Sequence, residues 1–498
     1  MMANRRTEAL AAILSSAIAN LKDQKIQFCV LRNYEELPDY TSHDVDILVD
    51  QADFGQAVRA ITEASQTSGW IIFAQIEQFK GLSLYLFYDK TQTPQFLSFD
   101  LVADIRWGWM RTVNTQAVLN NRIQYRDMPV ASPGSDAAVR LVKDLLRGTQ
   151  IRDNARSIIV KGASADHHGF RSTFEGIFNP ALTEKLLRLA QEGRFDELSL
   201  LRGRARCSVL RHAHTKAPLK SMVDLFLYLR TRRRRARRGS LSVFAALIGP
   251  DGAGKTTLAR RLSDSLADAP FRRTVIYHSG FNILPRLRTV FQKLTRTRLI
   301  NSASDQEGPD KCTQPLSVAR TMFYLLYYSV DYLLGRVLLR RARFNSHLIL
   351  FDRYFYNYYY QQGYSAMPWL ILDLFRAIAP RPDIILSLRA DPRVIHARKD
   401  DLDQAEIERQ LSAIERLSSK LSNIPVVTLR TDQPEEVTQA QALRAIMNVI
   451  ADRTAITQNS RRRSIALATE RRTCLTQQLA RSDQARSVGC KPTLAPGS

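Results

Sequence analysis

The chain has 498 residues, with 72 Lys and Arg against 48 Asp and Glu and a formal net charge of +24. Hydrophobic residues make up 45% and charged residues 24%, which excludes a collagen-like, low-complexity or wholly disordered chain. The length suits about three domains, and the charge admits a nucleic acid, an anionic membrane surface or a phosphate-rich ligand as partner.

In chain order, Arg5 and Arg6 precede an apolar run over 9–19 built somewhat like a signal peptide. Ser15 and Ser16 break that run and Glu8 lies in its flank, so it reads as an amphipathic first helix. Strand-like runs follow at 26–31, 45–49, 70–76, 83–87 and 96–105, with a few helical segments between them. That is an α/β pattern, assigned to a first domain over 1–132.

Within it, Asp44 and Asp46 stand at i, i+2 on a strand and so point to one face. Such a pair can hold two Mg²⁺ ions for nucleotidyl transfer, usually with a third carboxylate. Asp100, in Ser98-Phe99-Asp100, offers that third ligand. The segment 24–105 resembles the nucleotidyltransferase family, whose D-x-D precedes an apolar run. The resemblance implies metal ligation by Asp44, Asp46 and Asp100. Where that family has a Gly-Ser to grip a triphosphate, this chain has Leu31-Arg32-Asn33-Tyr34. Exposed acids at a strand end are the alternative reading.

Residues 133–228 read as a helical segment. Ser135-Asp136 can cap a helix through Leu146, and 182–191 has apolar residues at helical spacing. An Arg-rich run over 229–240 reads as a linker. Residues 201–240 hold thirteen Lys and Arg against Asp224 alone. This segment and the basic tail carry most of the net charge.

From 241 to 452 strands alternate with helices. An apolar strand over 241–248 runs into a Gly-rich loop and a helix, and further strands are expected at 273–277, 347–351, 383–388 and 425–429. The pattern predicts a doubly wound parallel sheet. The loop reads Gly249-Pro250-Asp251-Gly252-Ala253-Gly254-Lys255-Thr256-Thr257 and satisfies G-x-x-x-x-G-K-[ST] with the required strand before and helix after. Each part has a physical task. The glycines let backbone N–H groups wrap a β-phosphate, and the helix N-terminus adds partial positive charge. Lys255 neutralises β- and γ-phosphates, and Thr256 can ligate Mg²⁺. Gly249, Asp251, Gly252, Ala253, Gly254, Lys255, Thr256 and Thr257 are the candidate nucleotide-binding residues.

This loop resembles that of the thymidylate kinase family. So do Asp352-Arg353-Tyr354 at a strand end, Asp383-to-Leu388 followed by Asp391-Pro392, and a helix over 393–399 placed like the family's lid. The resemblance spans about 241–450. It implies phosphoryl transfer from ATP, with Asp352 orienting Mg²⁺ or the acceptor and Arg353 holding the acceptor's phosphate. No cation precedes Lys255 in the loop, and in such members the transition-state arginine comes from the lid. That nominates Arg398, supported by Lys399. Arg320 is a second candidate phosphate contact. The segment 278–288 does not match the family's acceptor loop, so thymidylate does not carry over as substrate. The aromatic run over 354–360 can stack on a base or sugar, though core packing is the commoner use.

The apolar stretch over 322–339 contains Asp331 and Arg336, a costly pair in a bilayer. It reads as a buried core helix, and no membrane span is expected. Residues 453–498 are polar, basic and expected to be disordered. The five cysteines are odd in number and widely spaced, with no C-x-x-C. They indicate neither a disulfide framework nor a zinc site, and suit a reducing cytoplasm.

The reading is an α/β chain: a nucleotidyltransferase-like domain, a helical segment and a P-loop domain. Such a combination resembles proteins of bacterial surface-polysaccharide biosynthesis. The expected activity is an ATP- and Mg²⁺-dependent kinase acting on a phosphorylated small molecule, a nucleoside monophosphate or sugar derivative. One alternative is a bifunctional enzyme with N-terminal nucleotidyl transfer. Another is an NTPase docking on nucleic acid or membrane. The Arg run lacks interleaved aromatics, so nucleic acid is not the expected partner; contact with an acidic surface through that run is. Whether the chain forms a homodimer is left open.

Overall fold

The structure is a computed structural model that describes residues 2–41, 44–88, 94–148, 150–215, 218–238, 241–266, 273–278, 280–281, 283–284, 316–344, 347–399 and 402–454. The basic tail, whose disorder was expected, lies outside the described residues from 455 onward, as do Arg286 and Arg288.

The first unit opens with helix α1 (Met2–Asp23) and contains a seven-stranded sheet in the order β3-β4-β5-β2-β1-β9-β8. Its central strands are β1 (Phe28–Val30), β2 (Val45–Val49) and β5 (Gln95–Val102). The outer ones are β3 (Ile71–Gln78), β4 (Gly81–Tyr88), β8 (Ile123–Tyr125) and β9 (Met128–Val130). Strands β2 and β5 are parallel, with Asp46 in register with Asp100. A small hairpin, β6 (Arg106–Trp107) with β7 (Met110–Arg111), turns at Gly108, whose φ is +65°.

Helices follow from α4 (Pro133–Arg147) to α9 (Arg202–Thr215). The cap of α4 is Ser132, not Ser135 or Asp136: its hydroxyl accepts from Ser135 N at 3.3 Å, and Pro133 occupies the first turn. Two glycines allow close helix approach here. A Cβ on Gly134 would lie 2.0 Å from the Asp166 carbonyl oxygen, and one on Gly162 2.3 Å from that of Pro133. The Arg-rich run is not an irregular linker. Helix α10 (Pro218–Arg238) runs straight through it, because arginine is a good helix former and no glycine intervenes before Gly239.

The second unit is an all-parallel five-stranded sheet in the order β11-β12-β10-β13-β14. Strand β10 (Val243–Ile248) is central and buried at every residue, so it is apolar throughout rather than alternating. Its neighbours are β12 (His347–Phe351) and β13 (Ile384–Arg389), with β11 (Arg273–Tyr277) and β14 (Val426–Arg430) at the edges. Around them pack α11 (Lys255–Ser265), α12 (Val318–Phe344), α15 (Gln404–Lys420) and a last helix over 435–454. Phe73 and Phe87 of the first sheet join the apolar cluster beneath α11, so the two units share core.

Helix α12 departs from expectation. Leu325, Tyr332 and Leu339 are buried, but Phe323, Leu326, Val330, Leu333 and Val337 are exposed. Asp331 and Arg336 are not a pair: Asp331 accepts backbone N–H groups, and Arg336 donates to the carbonyls of Ala377 and Ile378. No helix among the described residues is long and apolar enough to cross a membrane.

Candidate active site

The site forms where β10 ends. Position 254 must be a glycine on conformational grounds, its φ being +89° as the helix N-cap. Gly252 has a φ of +88° and little room: a Cβ there would meet the Ile395 carbonyl oxygen at 3.0 Å and the Lys399 Cβ at 3.2 Å. The turn therefore closes against the chain just after β13. From it α11 departs with its N-terminus at Lys255, aligning backbone N–H groups and the helix dipole on the loop.

Lys255 is buried and bends over the loop. Its Nζ donates to the carbonyls of Gly249 at 2.8 Å and Pro250 at 2.9 Å, and to Asp251 Oδ1 at 3.2 Å. Burial pulls its ammonium below the usual lysine range, while the Asp251 carboxylate opposes this. Asp251 also accepts from Arg353 Nη2, at 2.9 Å to each oxygen. Burial would raise the Asp251 pKa, but Lys255 and Arg353 outweigh it and hold the carboxylate below its ordinary range. One carboxylate in the loop thus orients both cations.

Asp352 closes the other side. Thr256 Oγ1 donates to its Oδ2 at 2.6 Å, and His278 Nδ1 lies 3.0 Å from the same oxygen. The second oxygen, Oδ1, is buried and has no hydrogen-bond partner. A buried carboxylate oxygen with an unused acceptor, beside a hydroxyl at a phosphate-binding loop, fits a hard divalent cation such as Mg²⁺. Thr256 and Asp352 are the residues that would hold it.

Arg398, nominated as the lid cation, turns away. It sits at the end of α14 (Pro392–Arg398) and donates to the Thr431 carbonyl at 2.7 Å. Its neighbour Lys399 lies against Gly252 and is among the cations that depress Asp251. Arg320 is exposed in the first turn of α12. The tyrosines over 354–360 are core: Tyr354, Tyr356, Tyr358, Tyr359 and Tyr360 are all buried. Tyr360 nevertheless serves the loop, its hydroxyl accepting from Gly249 N at 3.3 Å and donating to Asn357 at 2.6 Å. Sequence reasoning missed this contact; a Tyr-rich run offers no local mark of which hydroxyl reaches the loop. It also missed Asp331, which accepts from Phe281 N at 2.7 Å, Ile283 N at 2.8 Å and Leu284 N at 3.2 Å, shaping the segment that follows β11.

A thymidylate kinase of Xanthomonas oryzae pv. oryzae (strain PXO99A) is 30% identical over 214 residues, which are 42% of this chain and 84% of that protein. This chain belongs to the thymidylate kinase family. The thymidylate kinase of Xanthomonas euvesicatoria pv. vesicatoria (strain 85-10) is 31% identical over 215 residues, with the same coverage. Among solved structures, the thymidylate kinase of Ehrlichia chaffeensis aligns over 41% of this chain and 98% of its own, at 14% identity and a TM-score of 0.29. No family model matches the chain. Thymidylate kinase similarity supports kinase-type phosphotransfer and nucleotide binding, and it covers less than half of the residues.

The first unit holds a separate carboxylate constellation. Asp46 and Asp100 are neighbours across β2 and β5, and Asp44, itself exposed, accepts a hydrogen bond from Ser98. Burial pushes the Asp100 carboxyl up, with the Asp44 and Asp46 charges adding and a Ser83 hydrogen bond opposing. Arg32 takes both oxygens of Asp46, at 2.5 and 3.2 Å. No group of three or more His, Cys, Asp or Glu among the described residues is placed to hold a metal. Of the three carboxylates expected to ligate metal, Asp46 is paired with the Arg32 guanidinium. A cavity of about 1310 Å³ opens beside it, lined by Arg32, Asp46, Asp100, Arg140 and Lys143 and by none of the P-loop residues. Neither this geometry nor the thymidylate kinase similarity supports nucleotidyl transfer.

Proposed function

We propose that the chain is an ATP- and Mg²⁺-dependent kinase that moves the γ-phosphoryl group of ATP to a phosphorylated small molecule, a nucleoside monophosphate or sugar derivative. The observation that carries this reading is the convergence of Lys255, Thr256, Asp352 and Arg353 on one loop, with Asp251 orienting the two cations. Phosphoryl transfer asks a protein mainly for positioning and for compensation of negative charge. Loop N–H groups and Lys255 supply that compensation for the donor phosphates. A Mg²⁺ ion held by Thr256 and Asp352 would screen the β- and γ-phosphate charge. Arg353 would hold the acceptor's phosphate, and moving from Asp251 to that phosphate exchanges one charged hydrogen-bond partner for another. Lys399 replaces Arg398 as the proposed lid cation.

The test is ADP release by the full-length chain with ATP, Mg²⁺ and a panel of nucleoside monophosphates and sugar phosphates. At least one acceptor should stimulate release, and Lys255→Ala and Asp352→Ala should abolish it. Asp44→Ala should leave it unchanged. A folded wild type that releases no ADP with any acceptor overturns the reading.

A further inference from the structure

Helix α10 turns the wrong face outward for an ordinary surface helix. Toward the first unit it presents Asp224, which accepts from Arg106 at 2.9 Å, and Tyr228, whose ring lies 5.8 Å from Phe79 and 6.3 Å from Trp109. Away from it stand Leu219, Met222 and Phe226, which are 79%, 69% and 65% exposed, joined by exposed Val223 and Leu229. These positions recur at steps of three and four and form one stripe. Exposed Arg230 and Arg233 continue the stripe toward the helix C-terminus, with exposed Arg232 beside it. The run 230–238 holds seven arginines and no acid.

An occupant of this face must take an apolar wedge and a dense positive charge together. A nucleic acid answers only the charge, since no aromatic ring is interleaved with the arginines. A second copy would answer the apolar stripe but would bring two arginine runs together. The helix is not apolar enough to span a bilayer. An anionic lipid surface meets both demands, with acyl chains taking the apolar side chains and phosphate headgroups taking the arginines. We propose that Pro218–Arg238 is an interfacial anchor that docks the protein on an anionic membrane, with Leu219, Met222 and Phe226 buried at the headgroup boundary.

The test is co-sedimentation of the full-length chain with phosphatidylcholine vesicles, with and without phosphatidylglycerol. Binding should require phosphatidylglycerol and weaken as salt rises. Met222→Asp with Phe226→Asp should weaken it more than about tenfold. Arg232→Gln with Arg233→Gln should weaken it about thirtyfold. ATP turnover in solution should be the same in both double variants, which also reports that they fold. Phe226→Trp should show a blue-shifted emission only with anionic vesicles. Equal binding to neutral vesicles, no binding, or binding untouched by either double variant overturns the proposal. A vesicle-free dimer that Phe226→Asp dissociates assigns the face to a second copy instead, and capture by duplex DNA or RNA in place of vesicles assigns it to nucleic acid.

Discussion

Thr256 Oγ1 donates to Asp352 Oδ2 at 2.6 Å across ninety-six residues of chain. The bond joins the first turn of α11 to the end of β12 because β10 and β12 are adjacent parallel strands. Both strands deliver their C-terminal ends to one edge of the sheet, where ligands of open α/β folds bind.

The first prediction concerns this pair. Asp352→Asn keeps the shape of the side chain but removes the charge facing Thr256. ADP formation should fall by roughly 10²–10³ with little loss of stability. Steady-state rates across a Mg²⁺ titration, alongside a thermal melt, check it. Undiminished turnover with unchanged Mg²⁺ dependence would remove Asp352 from the site.

The two lid cations should behave differently. Lys399→Met should lower kcat by about tenfold or more, because its side chain starts against Gly252 and its charge acts on Asp251. Arg398→Met should leave kcat near wild type and cost at most about 1 kcal/mol, the worth of one exposed hydrogen bond to Thr431. Measuring both variants for kcat and melting temperature distinguishes them. The reverse ranking would restore Arg398 as the transition-state cation.

Asp331 is expected to matter for local order. Asp331→Ala leaves three backbone N–H groups of 281–284 without their carboxylate acceptor and should cost about 2–3 kcal/mol. Faster amide exchange in that segment is the direct readout. Protection equal to wild type would contradict it.

A pH dependence follows from Lys143. Burial lowers its pKa to about 8 from the ordinary lysine value of 10.5, with Arg32, Arg147 and Arg152 adding to the effect and Asp46 opposing it. The folded state therefore binds fewer protons than the unfolded state between those two values. Stability from this group rises with pH across that window, and the cost of the buried charge is felt in full below it. Lys143→Met should stabilise the chain by about 1–3 kcal/mol at neutral pH. The gain should vanish as the pH approaches 10.5. Denaturant melts at several pH values test this; a gain independent of pH would mean that Met merely packs better.

Much of the architecture is legible along the chain. The strands at 45–49, 273–277 and 347–351 fall where the apolar runs place them. A buried parallel strand such as 347–351 is apolar at nearly every residue, and β-branched and aromatic residues mark the edge strand 273–277. Edges and caps were less legible: Ser132, Ser135 and Asp136 are all competent N-caps, and the approach of the helices Asp153–Ala165 and His167–Phe174 at Gly134 and Gly162 decides among them.

The site divides along the same line. The phosphate-binding loop is contiguous, and glycine conformations, a lysine and a hydroxyl at fixed spacing carry its chemistry locally. The family resemblance pointed to Asp352 and Arg353 but not to the Asp251 carboxylate that orients Arg353. That pairing, like the approach of Lys399 to Gly252 and the contact of Tyr360 with Gly249, depends on which strand ends lie side by side. In the sequence Arg32 marks only a departure from a Gly-Ser; folding brings it onto Asp46. The direction in which α10 faces was equally hidden. Periodicity reveals that a helix has two faces, but only packing against Arg106, Phe79 and Trp109 decides which one is covered. Local pattern determines backbone conformation because the relevant forces act within a few residues. Orientation and charge pairing are decided by contacts between segments far apart in the chain, and these exist only once the core has formed.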